Sequence, residues 1–478
     1  MTRGLRRGLS ALLGVAVLAL VLVVAFALWP TRTRSIADRA LPAAGTAEMA
    51  RLVEAGRYVA TAADCVACHS PAQGAPFTGG LPLASPLGTI YSTNITPDVE
   101  TGIGRYGLDD FDRVIRHGIA KDGRTLYPAM PYPSYARLSD DDLRALYAYM
   151  LHGVAPVRQA NRENGIPWPL SMRWPLAAWR KVLGGTLDAP PAYGATDYGG
   201  DAAVARGAYL VQAAGHCGAC HTARGVAFQE KGLDERSAAY LAGGQVVDGW
   251  VAVNLRGDPA DGLGRWNGED IVRTLRGARN RSHAVVGGPM QDVVVHSTQS
   301  LSDGDLAAIA AYLKTLPASR TPASTYAPDD ATARALESGR EDGRGAELYV
   351  DNCAACHRTN GLGHADAFPT IAGNPTVLAA EPTSLVRLVL AGSVLPETRA
   401  APSPLGMPAF AWRLSDAEVA ALLTFVRQSW GNRAPAVSAR QVASVRTELR
   451  RAEASVAASA VAPRAAGGTR TPGAPDKR

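Results

Sequence analysis

Three short stretches of this chain combine two cysteines, three positions apart, with a histidine directly after the second. They lie at residues 65–69, 217–221 and 353–357, and they contain all six cysteines of the 478-residue sequence. Residues at i, i+3 and i+4 of a helix share one face, so two thiols can bond to the vinyl groups of a porphyrin while the imidazole reaches its iron. We therefore predict three covalently bound haem c groups. The attachment residues are Cys65, Cys68, Cys217, Cys220, Cys353 and Cys356, and the iron ligands are His69, His221 and His357.

Two other chemistries use paired cysteines. Zinc ribbons place their pairs roughly 15–20 residues apart, whereas successive motifs here lie 152 and 136 residues apart. A thioredoxin-like redox site calls for one motif beside a βαβ pattern and does not explain the histidine. The spacing therefore favours haem over both alternatives.

A methionine in a loop rich in glycine or proline follows each motif. Met130, Met290 and Met407 lie 61, 69 and 50 residues after the motif histidines. A loop methionine can approach the open face of a porphyrin, and His/Met ligation raises its potential. We predict these three residues as sixth ligands, although filling a core is the commoner role of methionine. His283 and His296 flank Met290 and remain alternatives to it.

The elements that must position these residues also repeat. Each motif follows an amphipathic helix, and each repeat ends with a helix whose start carries an N-cap serine, an acid at N3 and apolar residues at N′ and N4. These serines are Ser139, Ser302 and Ser415. The length suits about three domains of ordinary size. We predict three tandem domains built from such helices, each with one covalently attached haem, and an N-terminal apolar helix.

We assign the predicted domains as unit one, residues 46–153; unit two, residues 201–317; and unit three, residues 337–433. A linker rich in tryptophan and proline at 154–200 separates the first two units, and a plainer linker at 318–336 separates the last two. The tryptophans of the first linker can pack between the units or form a docking face for a partner.

Residues 1–34 carry five arginines and no acid, and positions 9–29 are uncharged. That run is long enough to span a bilayer, so we predict a membrane anchor. Ala25–Phe26–Ala27 resembles a cleavage site, which leaves a removed signal segment as the alternative. In both cases the basic N-terminus stays in the cytoplasm and the rest of the chain crosses the membrane.

Residues 434–478 form a basic tail with too few large apolar groups to build a core, and we expect it to be mostly disordered apart from a short helix within 442–453. The two ends of the chain each carry a formal charge of +5, so the total of +6 leaves the body at −4. The basic pI of about 9.0 therefore results from the charges of the two ends and not from those of the body. It indicates contact with anionic membrane lipid and no nucleic-acid partner.

Units one and two share a further element, with an asparagine at 94 and 254 and an arginine at 105 and 265. This element can be turn chemistry alone. Alternatively, Arg105 and Arg265 can pair with haem propionates.

Three stretches carry a resemblance to a known family: GTIYSTNITPD at 88–98, TLYPAMPYPS at 125–134 and GHCGACHT at 215–222. Over residues 56–432 the chain resembles the three-haem cytochrome c subunit of bacterial membrane-bound dehydrogenases of the alcohol and gluconate dehydrogenase type. The resemblance implies an all-α fold of three tandem cytochrome c-like domains, with the haem domains on the periplasmic face of the inner membrane. It also implies electron transfer from a catalytic subunit, which is a quinoprotein, flavoprotein or molybdoprotein, to ubiquinone.

The sequence contains no Gly-x-Gly-x-x-Gly dinucleotide signature after a strand, so the oxidation of an alcohol, aldehyde or sugar acid is expected on another polypeptide. Two alternatives remain open. One is a haem peroxidase or reductase with an open iron position, and the other is a cytochrome c subunit of a terminal oxidase.

Overall fold

The computed structural model describes residues 3–461, apart from positions 40, 72, 186, 281–284 and 321–325. Its first element is a long apolar helix, α1 (Arg3–Leu28), of which Arg7–Leu28 has the length and composition to cross a membrane. The helices of unit one are α2 (Ala47–Ala62), α3 (Cys65–His69), α4 (Leu108–His117), α5 (Tyr132–Tyr135) and α6 (Asp140–His152). Its strands are β1 (Pro82–Ser85) and β2 (Gly88–Tyr91).

The first linker contains α7 (Trp174–Leu183) and a 3-10 turn at Ala195–Tyr198. Unit two has α8 (Ala202–Tyr209), which continues as a π-helical turn at Leu210–Ala214, then α9 (Gly218–His221), α10 (Gly268–Gly277), α11 (Met290–His296) and α12 (Asp303–Thr315). A 3-10 turn at Thr298–Ser300 precedes α12, and the strands are β3 (Val246–Val247) and β4 (Trp250–Val251).

Unit three is preceded by α13 (Ala331–Glu337), which begins in the second linker. It contains α14 (Arg344–Asn352), α15 (Ala354–His357), α16 (Pro375–Leu378), α17 (Thr383–Ala391) and α18 (Asp416–Gln428), with strands β5 (Ser393–Val394) and β6 (Gly406–Met407). The last helix is α19 (Ala439–Val461).

Three small antiparallel sheets accompany the helices of this helix-rich chain, so the expected all-α class holds only in part. Strand β1 pairs with β2, β3 with β4 and β5 with β6. The turn between β3 and β4 is Asp248–Gly249, whose φ angles are +49° and +78°. Asp-Gly with two positive φ angles matches the twist of a two-residue hairpin. The Asp-Gly pair therefore indicates a hairpin in the sequence, which helical periodicity alone does not predict.

The opening and closing helices of each unit cross at a glycine. A Cβ atom on Gly56 would lie 1.8 Å from the Ala145 carbonyl oxygen of α6, and one on Gly207 would lie 1.9 Å from the Ala308 carbonyl oxygen of α12. Gly345 occupies the corresponding place against α18. Only glycine permits this approach of one backbone to another. The repeated glycine thus fixes the crossing that frames each motif.

The predicted N-caps of the closing helices are confirmed. The Ser139 hydroxyl accepts a hydrogen bond from the Asp142 amide at 3.1 Å, and Ser302 accepts one from the Asp305 amide at 3.1 Å. In unit three the bonds are reciprocal, because Glu418 also accepts from the Ser415 amide at 3.0 Å. Each cap satisfies backbone groups that the first turn leaves unpaired.

Units one and two contact each other through equivalent tyrosines. Tyr58, two residues after Gly56, donates to Asp305 at 2.6 Å and accepts from the Ser302 amide at 3.0 Å. Tyr209, two residues after Gly207, donates to Asp142 and accepts from the Ser139 amide at 3.3 Å. Each unit thus binds the N-cap of the other, which is the pattern of a two-fold, self-complementary interface.

The tail after unit three contains a longer helix than expected. Helix α19 places Val442 and Val445 in the core of unit three, with Leu449 packed against it. The Arg446 guanidinium donates to Asp416 at 2.7 Å and to the Leu414 carbonyl at 2.8 Å. The spacing of the three apolar residues gives this helix one buried face. The low content of large apolar residues in the tail as a whole did not indicate this face. Residues 462–478 lie outside the described part of the chain.

Candidate haem-attachment sites

A single helical turn carries each cysteine–histidine motif. Helix α3 contains its whole motif, whereas α9 and α15 begin one residue after the first cysteine, which lies at the N-cap. The turn places the two thiols and the imidazole on one side, as the spacing requires. All six cysteines are free. Two thiols and one imidazole per motif form the donor set that haem c needs, so these residues fit the cofactor.

Each motif histidine is oriented by one backbone carbonyl. His69 Nδ1 lies 2.8 Å from the Thr93 oxygen, His221 Nδ1 lies 2.8 Å from the Val253 oxygen, and His357 Nδ1 lies 3.0 Å from the Pro369 oxygen. A carbonyl can only accept, so Nδ1 carries the proton in all three rings. Nε2 then keeps its lone pair for a metal, which is the usual outer-shell arrangement around a ligating histidine.

Burial shifts the pKa values of the motif histidines and of the first cysteine of each motif. It lowers the pKa of His69, His221 and His357, which keeps the imidazoles neutral and able to coordinate iron. Burial also raises the pKa of the first thiol of each motif, at Cys65, Cys217 and Cys353, to about 12. Such thiols are poor sources of the thiolate that zinc sites and redox sites use.

The zinc alternative also lacks a ligand cluster. Over the described ranges, no group of three or more histidine, cysteine, aspartate or glutamate side chains is placed to hold a metal ion. The three motifs therefore do not combine into a zinc site within that part of the chain.

The element shared by units one and two supplies the orienting carbonyls. Thr93 and Val253 each precede an asparagine of that element. Asn94 accepts from the Thr96 amide at 2.9 Å, and Asn254 accepts from the Arg256 amide at 2.8 Å. These turns fix the backbone next to the carbonyl that binds the histidine. The two asparagines were the sequence signal for these carbonyls, and in unit three Pro369 has the same function without the element.

The predicted methionine ligands have different surroundings. Met130, in the turn before α5, packs against the same core cluster as Cys65. Met407, in β6, packs against the same cluster as Cys353. Met290, the first residue of α11, packs in a small separate cluster with Val286 and Val294. The structure thus brings methionine and motif into one core in unit three. Met130 lies in the core that units one and two share, which contains both Cys65 and Cys217, whereas Met290 belongs to a different cluster from either.

The remaining histidines have other positions. His296 lies exposed at the end of α11, and His283 lies outside the described residues. His216 joins units one and two, because its Nε2 lies 3.3 Å from the Ala63 carbonyl oxygen and its ring packs edge-on against Tyr135. This contact places the second motif beside the first, a proximity that sequence reasoning missed.

The two arginines of the shared element do not have the same environment. Arg105 is exposed. The Arg265 guanidinium donates to the Pro259 carbonyl at 2.8 Å and to the Gly373 carbonyl of unit three. The structure therefore gives Arg265 a role in joining units two and three.

The first linker packs between the units, as one of the two predicted alternatives requires. Arg173 donates to the Thr125 carbonyl at 3.1 Å and stacks on Tyr127 of unit one. Trp179 donates to the Ala227 carbonyl of unit two at 2.6 Å. Trp168 remains exposed.

Comparison with known proteins identifies the family these motifs suggest. The cytochrome c family model matches residues 53–153, 204–317 and 343–430. The chain is 54% identical to the gluconate 2-dehydrogenase cytochrome c subunit of Pantoea cypripedii, covering 83% of this chain and 90% of that protein.

Two further relatives carry related descriptions. The alcohol dehydrogenase (quinone) cytochrome c subunit of Gluconacetobacter polyoxogenes is 51% identical, over 83% of this chain and 84% of the relative. The fructose dehydrogenase cytochrome subunit of Gluconobacter japonicus is 36% identical, over 82% of each chain. The predicted resemblance is thus confirmed.

Proposed function

Because this chain belongs to the cytochrome c family, we propose that it is the electron-transfer subunit of a membrane-bound dehydrogenase complex. The observation that carries the proposal is the repeated bond from histidine Nδ1 to a backbone carbonyl, which leaves Nε2 free to bind iron in each motif. The names of the relatives, which are cytochrome subunits of gluconate, alcohol and fructose dehydrogenases, support the partner.

The chain holds three haem c groups, one in each of units one, two and three. Three family-model matches, three glycine-crossed helix pairs and three oriented histidines support this number. When bound, haem c supplies a one-electron iron centre. The motif cysteines would hold the porphyrin covalently, and His69, His221 and His357, together with Met130, Met290 and Met407, would supply the ligands to its iron.

Methionine ligation is the means by which the chain raises the haem potentials. The core that Met407 shares with Cys353 supports this assignment in unit three, and Met130 lies in the core that contains both Cys65 and Cys217. Met290 has the same position in the order of elements, before the closing helix α12.

Electrons enter from a catalytic subunit that oxidises an alcohol, an aldehyde or a sugar acid, and they leave to ubiquinone or another respiratory acceptor. The haem units face the periplasm, and α1 is retained as an anchor in the inner membrane. Three bonds from Lys181 to the carbonyls that end α1 support retention, because the body would lose them with the helix.

The test is purification of the complex from detergent-solubilised membranes, followed by a haem-to-protein ratio, identification of the co-purifying subunits and substrate-driven haem reduction. We expect three haems per chain, a large dehydrogenase subunit and reduction by an alcohol, aldehyde or sugar acid. A haem–copper oxidase as the partner, without reduction by such substrates, would refute the proposal. Turnover of peroxide by the isolated chain would instead establish the peroxidase alternative.

A further inference from the structure

The end of the apolar helix α1 is bound to the linker helix α7. The Lys181 ammonium group donates to the carbonyl oxygens of Phe26 at 2.6 Å, Ala27 at 3.1 Å and Trp29 at 2.6 Å. The last carbonyls of a helix lack partners within it and favour a nearby cation. Arg180 adds a bond of 2.6 Å to the Thr31 hydroxyl. Helix α7 is therefore fixed where α1 ends.

Exposed apolar side chains lie on the segments linked to this junction. Trp29 follows α1, and Val182, which is 68% exposed, and Leu183 end α7. The bond from Trp179 to the Ala227 carbonyl brings in a loop of unit two on which Val226 is fully exposed and Phe228 half exposed. The segment before α7 adds Trp168, Leu170 and Met172, of which Trp168 is 80% exposed.

These side chains come from separate parts of the sequence, and the bonds of Lys181 and Trp179 join α7 to the end of α1 and to the loop of unit two. We define the apolar shelf by its members: Trp29, Trp168, Leu170, Met172, Val182, Leu183, Val226 and Phe228. Large exposed apolar side chains concentrated on linked segments of a folded protein suggest a surface that lipid or a partner protein covers.

We propose that the apolar shelf rests in the interfacial layer of the bilayer that α1 spans. The proposal depends on the proposed function in one respect, the retention of α1. A helix of the length of Arg7–Leu28 extends over about 33 Å, which matches the hydrocarbon thickness. The chain therefore leaves the hydrocarbon at Trp29, and the bonds of Lys181 hold α7 at that depth.

The composition of the shelf fits this depth. Tryptophan is enriched where hydrocarbon meets headgroups, because its ring is apolar and its N–H is polar. Elements that lie in the interface combine such residues with lysine or arginine, as α7 does with the half-buried Lys181. A catalytic subunit is the other occupant to consider. Because α7 is attached to the end of a membrane-spanning helix, lipid is favoured over a catalytic subunit as the occupant of the apolar shelf.

The test measures the environment of single labels on the full-length haem-loaded chain in phosphatidylcholine vesicles. Val182→Cys and Val226→Cys, which lie on different segments of the apolar shelf, are each labelled with an environment-sensitive fluorophore. Leu362→Cys is the matched control, because Leu362 is also an exposed apolar residue but belongs to unit three. Leu18→Cys, within α1, reports insertion of the anchor.

We expect labels at 182 and 226 to be quenched by spin-labelled lipid and to be several-fold less sensitive to aqueous iodide than the label at 362. Equal iodide quenching at 182, 226 and 362, with position 18 protected, would overturn the apolar shelf and leave the anchor intact. Iodide quenching at position 18 would show that α1 is not inserted and would overturn both proposals. Protection of 182 and 226 that appears only when a catalytic subunit is added would assign the surface to that protein.

Discussion

The orienting carbonyls are the residue-scale feature that best explains how this chain prepares its histidines. A free imidazole can rotate and can carry its proton on either nitrogen. The bonds to Thr93, Val253 and Pro369 remove both freedoms before iron is bound. Each ring therefore presents one lone pair in one direction, which lowers the entropy lost when the iron–nitrogen bond forms.

Met407 provides the clearest test of the second iron ligand. It lies on β6 and packs with the core that contains Cys353. We expect Met407→Ala to convert one haem to a high-spin or weak-ligand form and to lower its potential, because a ligand that favours the reduced iron is lost. Absorption spectroscopy with potentiometric titration measures both effects. Met172→Ala, a partly exposed linker residue, should change neither; an unaltered spectrum and potential in Met407→Ala would disprove the assignment.

His117 gives a residue-scale prediction for pH. Burial at the end of α4, with a smaller effect of Arg116, lowers its pKa from 6.5 to about 4. The unfolded chain therefore binds a proton near pH 6.5 that the folded chain binds only near pH 4. Stability from this group is present above pH 6.5 and is lost as the pH falls towards 4, by at most about 3 kcal/mol.

The groups that face His117 influence the measurement. They are Asp112 and Arg116 on its own helix, Arg180 on α7 and Asp188 after it. Burial raises the pKa of Asp112 to about 6, which offsets part of the loss because folded Asp112 takes up its proton first. We therefore compare thermal midpoints at pH 7 and pH 5. His117→Gln should lose less stability on acidification than the parent chain, whereas the exposed His152→Gln should match the parent.

At the scale of elements, the glycine crossings can be tested directly. In Gly207→Ala the new methyl group would lie 1.9 Å from the Ala308 carbonyl oxygen, so α8 and α12 must separate. We expect unit two to fail to hold its haem, which lowers the haem-to-protein ratio from three to two. Gly304→Ala, at the start of α12, would meet its nearest neighbour, the Ser302 hydroxyl, at 3.9 Å and should keep all three haems. Full haem content in Gly207→Ala would contradict the role of the crossing.

The elements also show which features the sequence could predict. The motifs, the opening helices and the three capped closing helices followed from spacing and local hydrogen-bond chemistry. The length of α19 could not be predicted in this way, because its buried face consists of three apolar residues in a polar segment. The bonds between the orienting carbonyls and the histidines could not be predicted either, because the asparagines at 94 and 254 indicate only a local turn and Pro369 has no such signal. Their positions depend on how distant segments fold back, as Thr93 does onto His69.

At the scale of the whole molecule, the reciprocal tyrosines explain why units one and two form a pair. Tyr58 and Tyr209 occupy the same position after the crossing glycine, and each binds the cap of the opposite closing helix. His216 joins the two motifs across the same interface. Unit three has Glu347 at this position, and that carboxylate pairs with Arg344 within its own unit. Unit three is therefore attached differently, through contacts such as Arg265 to Gly373.

The pair predicts a coupling that a double-mutant cycle can measure. Tyr58→Phe and Tyr209→Phe each remove a hydroxyl that binds a carboxylate and a backbone amide, so each should lower the free energy of unfolding by about 1–3 kcal/mol. If the two contacts close one interface, the second substitution should cost less once the first has loosened it. Thermal unfolding followed through haem absorbance measures this non-additivity.

The coupling between the two tyrosine contacts should also change the haem potentials. Loosening the interface admits water beside the first and second motifs, and greater solvent exposure changes haem potentials. Two of the three potentials should therefore shift in Tyr58→Phe/Tyr209→Phe, while the potential assigned to unit three by Met407→Ala stays fixed. Strictly additive stabilities with three unchanged potentials would mean that the two tyrosines act as independent surface contacts. The arrangement of units one and two would then depend on their shared apolar core, to which Tyr135, Leu210 and Leu313 belong.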